Sequence, residues 1–247
     1  MRWIYISPHL DDAILSAGGL VYEQTQSGND VEIWTLFCGF PHDENVSPIA
    51  QALHSYWGFY STEEAVRVRR EEDLRAAKIV GARAVHFDFS DSIYRRGRNG
   101  EWLYDDTFVP PHEDEADLSA RITGALAERL KRGDHIACPL AIGGHVDHVI
   151  TRDAVETFVS SEGEGLGVQL WFYADIPYLL DNPSALEPVE RKMQAESRRV
   201  TSKGLAAWQK GIAEYASQIP LEFENHRKMR KAISKYGRKG IRLWHLP

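Results

Sequence analysis

Short apolar runs alternate with helical patterns along most of this sequence, and this alternation is the strongest constraint on its fold. The predicted strands lie at residues 3–6, 31–37, 84–89, 135–138 and 168–173, and the predicted helices at residues 13–27, 63–80, 116–132, 149–160 and 203–218. Strands that alternate with helices are joined by right-handed crossovers, which give a parallel sheet covered by helices on both faces. The sequence therefore predicts a Rossmann-like three-layer α/β/α fold with a mostly parallel sheet.

Size and charge narrow the possible functions. The 247 residues suit one large α/β domain spanning residues 1–247, with no linker that would divide it. The formal net charge of −7 argues against nucleic acid as a partner, because nonspecific binding to phosphates needs a basic surface. No apolar stretch approaches membrane-spanning length, and the first residues run directly into a predicted strand, so we expect a cytoplasmic protein without a membrane span. Cys38 and Cys138 each end an apolar run and are predicted to be buried thiols. The sequence leaves open whether the chain forms a homo-oligomer.

A turn crowded with ionisable side chains follows the first predicted strand. The segment Pro8-His9-Leu10-Asp11-Asp12 stands between that strand and the first helix, where α/β folds place their functional residues. One interpretation is that an aspartate caps the helix, since aspartate is a preferred N-cap residue. One aspartate would suffice for capping, however, and a divalent cation would relieve the repulsion between two carboxylates beside a histidine. On its own, this turn leaves both interpretations open.

A second turn of the same kind follows the fourth predicted strand. It contains His145-Val146-Asp147-His148 and again leads into a helix. Two histidines three residues apart at the start of a helix share one face, and Asp147 lies where it can orient a neighbouring imidazole. A second strand-end turn with such side chains favours metal binding over capping.

Together the two turns predict a metal site. His9, Asp12 and one of the two histidines of the second turn would provide three ligands and leave a position open for water, which is the pattern of a catalytic zinc site. The residues alone do not distinguish His145 from His148, or Asp11 from Asp12.

Two predicted connections, residues 39–61 and 90–115, are longer than α/β folds usually need, which is typical of functional or disordered segments. They carry aromatic and arginine side chains, namely Trp57, Phe59, Tyr60, Tyr94, Arg95, Arg96, Trp102 and Tyr104. We predict a rim that binds a polar, ring-shaped ligand, with Tyr94 and Arg95 as substrate contacts. The alternative is that the aromatic side chains anchor these loops to the body of the protein.

Both turns match a known family. The segments that follow the first and fourth strands resemble the signature motifs of the LmbE-like, or PIG-L, family of zinc-dependent N-deacetylases. Further segments agree in the family's order: Arg69-Arg70-Glu71-Glu72, Tyr173-Ala174-Asp175-Ile176-Pro177-Tyr178, Lys203, and Tyr215-Ala216-Ser217-Gln218. Members act on N-acetylglucosamine conjugates among other substrates. The resemblance implies a metal-dependent N-deacetylase whose partner is a small-molecule N-acetyl sugar conjugate, from which it releases acetate and a free amine.

The resemblance also assigns the roles that the residues alone leave open. It implies that His9, Asp12 and His148 hold Zn²⁺, or another divalent ion such as Fe²⁺. It implies that Asp11 is the general base. Arg69, on the matched helix, is a predicted substrate-binding residue.

One family feature is missing from this sequence. A tyrosine that some members place shortly before the second histidine motif is replaced by Ile-Gly-Gly at residues 142–144. The resemblance implies that His145 faces the substrate carbonyl, with Asp147 behind it to orient and charge the imidazole. We therefore expect the metal and a protonated His145 to stabilise the oxyanion. Tyr94 or Arg95, from the second long connection, is the alternative donor.

Two other functions compete with this hypothesis. A nucleotide-binding or oxidoreductase domain of Rossmann type needs a glycine-rich first turn for pyrophosphate, whereas Asp11 and Asp12 would repel it. A zinc-binding family member that acts on a non-sugar amide, or that lacks catalysis, is the third hypothesis. The intact base and histidines argue against loss of catalysis.

Overall fold

The computed structural model describes residues 1–41 and 44–247, and in this part of the chain the strands form one seven-stranded sheet. The strands are β1 (Arg2–Ser7), β2 (Asp30–Phe37), β3 (Arg83–Phe89), β4 (His135–Pro139), β5 (Gln169–Tyr173), β6 (Gln194–Arg198) and β7 (Ile241–His245). Their order is β3-β2-β1-β4-β5-β7-β6. Strands β1 to β5 are parallel, whereas β7 is antiparallel to both of its neighbours. The predicted mostly parallel sheet is confirmed.

Helices cover both faces of the sheet. They are α1 (Asp12–Gln26), α2 (Pro48–Trp57), α3 (Thr62–Val80), α4 (Leu118–Ala127), α5 (Val146–Phe158), α6 (Glu164–Leu166), α7 (Tyr178–Asp181), α8 (Glu187–Glu190), α9 (Ser202–Ile212), α10 (Ile219–Phe223) and α11 (His226–Gly237). Helices α1, α3 and α9 pack together, and α4 packs against α5. Because the strand order reverses between β1 and β4, right-handed crossovers place these two groups on opposite faces. The predicted three-layer architecture is confirmed.

Several elements differ from the sequence predictions. Residues 39–61, predicted as a loop, contain α2, which begins after Ser47, whose side chain accepts a hydrogen bond from the Ala50 N–H. His42 and Asp43 of this loop lie outside the described residues. The helix predicted over residues 203–218 ends at Ile212. Helix α11 was not predicted, and most of its basic side chains are exposed.

Strands β6 and β7 were not predicted. Strand β6 is the edge strand, with the sequence Gln-Ala-Glu-Ser-Arg and mostly exposed side chains, so it lacks the apolar run that marks a buried strand. Strand β7 packs between β5 and β6, with Ile241, Leu243 and Trp244 buried.

Helix α1, which carries part of the site, is held closely against α9. Trp208 of α9 is fully buried and donates a hydrogen bond from its Nε1 to the Ile14 carbonyl oxygen at 2.6 Å. A Cβ atom on Gly18 would stand 2.6 Å from Trp208 Cδ1, and one on Gly19 would stand 2.8 Å from Trp208 Cε3. Glycine at these two positions therefore lets the helices approach, and this contact fixes the orientation of α1 from its first residue, Asp12.

The register of β1 and β4 brings the two predicted turns together. Trp3 pairs with His135, and Tyr5 pairs with Ala137, so the two strands are direct neighbours. Because they are parallel, the turns that follow them emerge at the same edge of the sheet. The buried Tyr173 hydroxyl donates to the Ile6 carbonyl oxygen at 2.7 Å, which ties β5 to this pair.

Both cysteines are buried free thiols, as predicted. No helix among the described residues is long and apolar enough to cross a membrane. Cytoplasmic location and oligomeric state stay predictions.

Candidate metal centre and active site

The site is built from the turns that follow β1 and β4. His9 lies in the first turn, and Asp12 is the first residue of α1. His145 caps the N-terminus of α5, and His148 lies in the first turn of that helix. The φ angles of 93° at Gly143 and 75° at Gly144 lie in the left-handed region, so the sharp approach to α5 favours glycine at both positions.

Asp12 lies between the two predicted histidine ligands. Its Oδ2 atom is 3.3 Å from His9 Nδ1 and 3.3 Å from His148 Nε2. The ligand atoms of a tetrahedral zinc ion lie about 3.3 Å apart when each is about 2.0 Å from the metal. His148 Nε2 is buried and has no hydrogen-bond partner among the described residues. These residues therefore fit a divalent metal, which would occupy the position that the orphaned nitrogen faces.

The second nitrogen of each of these histidines binds a buried carboxylate. His9 Nε2 lies 2.9 Å from Asp147 Oδ2, and His148 Nδ1 lies 2.7 Å from Asp175 Oδ1. Histidine ligands almost always donate their other N–H in this way, which fixes the orientation of the ring. The arrangement leaves His9 Nδ1 and His148 Nε2 as the two nitrogens that face Asp12.

Asp12 and His148 each stabilise the charged form of the other. Burial alone would lower the pKa of His148, but the carboxylates of Asp12 and Asp175 outweigh burial and raise it to about 9. Burial alone would raise the pKa of Asp12, but His148 and His9 hold it well below its ordinary value. A divalent cation would replace the two protons of these imidazoles at a place where the surrounding carboxylates already stabilise positive charge.

Asp11 and Arg69 line the cavity beside this cluster. Burial, followed by the negative charge of Asp12, raises the pKa of Asp11 well above its ordinary value. Arg69 Nη2 lies 3.7 Å from Asp11 Oδ2, and the Arg69 guanidinium stacks over Trp57 at 4.7 Å. Arg69 Nε is buried without a hydrogen-bond partner among the described residues. The structure thus brings the predicted base and the predicted substrate-binding arginine to the same cavity.

His145 is held as a neutral donor, which differs from the prediction of a protonated imidazole. Its Nδ1 accepts a hydrogen bond from the Asp147 backbone N–H at 3.2 Å, so the ring carries its proton on Nε2. Burial, reinforced by the positive charge of His9, holds the pKa of His145 well below its ordinary value. A neutral imidazole with Nε2–H can still donate to a developing oxyanion.

The prediction that the Asp147 carboxylate lies behind His145 differs from the structure, in which this carboxylate lies against His9. Its Oδ2 also accepts a hydrogen bond from the Ser92 N–H at 3.0 Å, and its Oδ1 lies 2.6 Å from Arg95 Nη1. Burial alone would raise the pKa of Asp147, but Arg95 and His9 hold it far below its ordinary value. Asp147 therefore orients His9, which is one of the predicted metal ligands.

Tyr94 and Arg95 do not line the cavity that contains Asp11. The Tyr94 hydroxyl is hydrogen-bonded to His54 Nε2 at 2.5 Å, and Arg95 is buried in ion pairs with Asp147 and with Glu115, at 2.5 Å from Glu115 Oε1. Their role in substrate binding stays a prediction, and their placement favours a supporting role. These contacts match the alternative in which the side chains of the long connections anchor the loops.

The cavity has a volume of about 550 Å³ and opens to solvent from the predicted metal ligands His9 and Asp12. Phe108, which is 51% exposed, lies at its mouth, with its ring edge-on to His145 at 5.5 Å. Glu222 of α10 also lines the cavity, and burial followed by the charge of Asp12 raises its pKa to about 7. The space is large enough for a sugar ring with a substituent.

Sequence reasoning assigned no role to two carboxylates at the site. Asp175 binds His148, and its only sequence signal is its place in the segment Tyr173-Ala174-Asp175-Ile176-Pro177-Tyr178, which matches the family. Asp91 lies 3.9 Å from His9 through its Oδ2 and lines the cavity, and no sequence pattern singled it out.

Comparison with known proteins identifies the family. Residues 4–159 match the family model described as PIG-L: GlcNAc-PI de-N-acetylase. The 2'-N-acetylparomamine deacetylase of Streptomyces fradiae is 32% identical over 181 residues, covering 72% of this chain and 57% of that protein, so the match spans little more than half of its length. The protein of the same name from Niallia circulans is 27% identical over 231 residues, covering 88% of this chain and 80% of that protein.

Solved structures with the same architecture include further deacetylases. The zinc-inhibited form of teicoplanin deacetylase Orf2 superimposes with a TM-score of 0.81 at 27% identity, covering 99% of this chain and 97% of that chain. The A40926 pseudoaglycone deacetylase Dbv21 has a TM-score of 0.75 at 26% identity, covering 100% of this chain and 97% of that chain. The N,N'-diacetylchitobiose deacetylase of Pyrococcus horikoshii shares the fold. It has a TM-score of 0.58 at 15% identity, covering 98% of this chain and 83% of that chain.

Proposed function

This chain belongs to the PIG-L family of de-N-acetylases, and from that premise we propose that it hydrolyses the acetamide of an N-acetylated sugar conjugate, releasing acetate and a free amine. The observation that carries the proposal is the buried Nε2 of His148, which has no hydrogen-bond partner among the described residues. It lies 3.3 Å from Asp12 Oδ2, beside a cavity that also contains Asp11. The names of the relatives, two 2'-N-acetylparomamine deacetylases and a teicoplanin deacetylase, support it. We also propose that residues 1–247 act as one domain, since the first and last strands share one sheet.

The proposed cofactor is Zn²⁺ or another divalent ion such as Fe²⁺. His9 Nδ1, Asp12 Oδ2 and His148 Nε2 would hold it, and the zinc-inhibited form of a structural relative supports a divalent metal in this family. When bound, such an ion supplies Lewis acidity, which lowers the pKa of a water toward about 7 and polarises a carbonyl.

Asp11 provides the proton relay in this proposal. Its carboxylate lines the cavity and is oriented by Arg69 at 3.7 Å. It accepts one proton of the attacking water and delivers that proton to the departing nitrogen as the C–N bond breaks, so the amine leaves neutral. The new C–O bond and the second proton of the water stay with acetic acid, which ionises to acetate on release.

His145 stabilises the oxygen on which negative charge develops. Its Nδ1 is occupied by a backbone N–H, so Nε2–H is the donor available to the acetamide oxygen. Because the ring is fixed as the N-cap of α5, no ordering is needed during the reaction.

The proposal is tested by acetate release from a panel of N-acetylglucosaminides. We expect the zinc-loaded protein to release acetate, a chelator to abolish the activity, and added Zn²⁺ to restore it. The Glu162→Gln variant should keep the activity, because Glu162 is exposed and does not line the cavity. A zinc-loaded, folded protein that releases no acetate from any N-acetylated sugar would contradict the proposal.

A further inference from the structure

Tyr178 places a phenol without a hydrogen-bond partner at the cavity. It is the first residue of α7, is half-buried, and lines the cavity together with Asp12 and His145. Its hydroxyl forms no hydrogen bond among the described residues. The buried hydroxyls of Tyr173 and Tyr215, in contrast, each donate to an oxygen of the protein at 2.7 Å. The Tyr178 hydroxyl is therefore free to donate to a ligand in the cavity.

A glycine in the turn before α5 makes room for the Tyr178 ring. A Cβ atom on Gly143 would stand 2.9 Å from Tyr178 Cγ, which is closer than nonbonded carbon atoms approach. Gly143 stands two residues before His145, and residues 142–144 are Ile-Gly-Gly, without a polar side chain. The turn that positions His145 therefore packs against the Tyr178 ring and contributes no second polar side chain of its own.

The backbone before Tyr178 is tied to the predicted metal ligands and to α1. Asp175, three residues earlier, binds His148 Nδ1 through its Oδ1 at 2.7 Å. The Ile176 N–H donates to Ser16 Oγ, on α1, at 3.0 Å. These contacts fix the start of α7 relative to the site, so the phenol needs little ordering during the reaction.

Four aromatic rings form a closed set of contacts at this place. The ring centroid of His148 lies 5.3 Å from that of His145 and 5.7 Å from that of Tyr178. The ring centroid of Phe108 lies 5.5 Å from that of His145 and 5.6 Å from that of Tyr178. His145 and Tyr178 thus contact the same two rings, and both have a donor without a protein acceptor. The two donors flank one space beside His148.

Building on the proposed function, we propose that Tyr178 is a second catalytic donor, whose hydroxyl binds the acetamide oxygen together with His145 Nε2–H. When water attacks the acetamide carbon, a C–O bond forms and the π electron pair of the carbonyl moves onto its oxygen. The phenol keeps its proton and donates a hydrogen bond that strengthens as negative charge grows on that oxygen. Tyr178 therefore stabilises the transition state more than the bound substrate.

Steady-state kinetics of Tyr178→Phe test this role, because the substitution removes only the hydroxyl and keeps the ring on Gly143. Loss of one oxyanion donor typically costs about 10²–10³ in kcat, and we expect at least a roughly tenfold loss here, with little change in KM, because His145 still donates to the same oxygen. An unchanged kcat overturns the inference. A rise in KM alone also overturns it, because the hydroxyl would then bind the substrate equally well before and during the reaction.

Tyr236→Phe is the matched control. The Tyr236 hydroxyl also has no hydrogen-bond partner among the described residues, but Tyr236 does not line the cavity. This variant should keep both kcat and KM. The Kd for Zn²⁺, measured by competition with a chelator, should be the same in Tyr178→Phe as in the wild type. A weaker affinity for Zn²⁺ in Tyr178→Phe would make the phenol a metal ligand and would overturn its role as a donor to the substrate.

Binding of a tetrahedral analogue separates this inference from the proposed function. The analogue carries a methylphosphonyl group in place of the acetyl group of an N-acetylglucosaminide, so its oxygens bear the negative charge that the acetamide oxygen develops. Calorimetry on the zinc-loaded protein should show that Tyr178→Phe weakens binding of the analogue by at least roughly tenfold, as expected for a donor to an oxyanion. That result supports the donor role even if no acetate is released from any substrate. Equal binding by both proteins, or no binding by the wild type, refutes the donor role even if the wild type deacetylates sugars.

Discussion

Asp175 is expected to control metal affinity without touching the metal. It is 1% exposed, its Oδ1 lies 2.7 Å from His148 Nδ1, and its Oδ2 accepts the Ile142 N–H at 2.9 Å. The Asp175→Asn variant keeps the shape of the side chain but offers one oxygen to these two donors. One donor must therefore face the amide NH₂ group.

The structure sets the size of the effect. A buried donor left without an acceptor costs about 1–3 kcal/mol, and we expect the free energy of unfolding of the metal-free protein to fall by about that amount. If His148 loses its acceptor, its proton can move to Nε2, the nitrogen that faces Asp12. Removing a carboxylate that orients a histidine ligand typically weakens metal binding about 10–100-fold. The Kd for Zn²⁺ should rise by that factor, which corresponds to a loss of about 1.4–2.8 kcal/mol in binding free energy.

Competition with a chromophoric chelator measures the Kd, and urea unfolding measures the stability. Asp73→Asn is the matched control, because Asp73 is also 1% exposed and also bridges a histidine and a second donor, with His86 Nε2 at 2.8 Å and the Tyr215 hydroxyl at 2.7 Å. The tyrosine hydroxyl can rotate and accept from the amide, so this variant should lose less stability and keep its Zn²⁺ affinity. A folded Asp175→Asn protein that binds Zn²⁺ as tightly as the wild type would refute the reasoning.

Three further outcomes are expected. Asp11→Asn should keep its metal and lose about 10²–10⁴ in kcat, because an amide cannot accept the proton; loss of zinc on elemental analysis would instead make Asp11 a ligand. His145→Ala should lower kcat by about 10²–10³ with little change in KM, since its donor acts mainly in the transition state, and near-normal kcat in steady-state kinetics would exclude that role. Burial alone would raise the pKa of Glu32, but hydrogen bonds from Trp34 and Arg2 hold that pKa below its ordinary value of 4.5. The ionised Glu32 therefore stabilises the folded protein at neutral pH, and this stabilisation is lost as the pH falls below 4.5. Glu32→Gln should therefore lower the free energy of unfolding by about 1–2 kcal/mol at neutral pH and by progressively less in acid, whereas an equal difference at both pH values in urea titrations would contradict this account.

The location of the site could be predicted because its chemistry is concentrated in two short turns at strand ends. The apolar runs before His9 and His145 identify neighbouring parallel strands, whose ends meet at one edge of a sheet. The choice between His145 and His148 could not be made from these residues. It depends on Asp175, which is 27 residues from His148 in sequence and fixes the orientation of its ring.

The role of Asp147 shows a second limit of local reasoning. Side chains two residues apart on a helix do not face each other, so Asp147 turns away from His145 and meets His9 of the other turn. For Tyr94 and Arg95, composition indicated a functional rim, but composition does not determine which side of a loop faces the cavity. Strand β6 was missed for a similar reason, because a polar edge strand has no hydrophobic periodicity.

Asp147 links the metal site to a distant part of the chain, since one of its oxygens meets His9 and the other meets Arg95. If the proposed metal binds His9, order in the connection over residues 90–115 and occupancy by the metal are thermodynamically linked. Such linkage is reciprocal, so the factor by which an ordered connection tightens metal binding equals the factor by which the metal favours the ordered connection. Because the same connection carries Asp105 at the cavity mouth, a bound substrate would slow the escape of the metal, and the resting enzyme would be the form most easily stripped by a chelator.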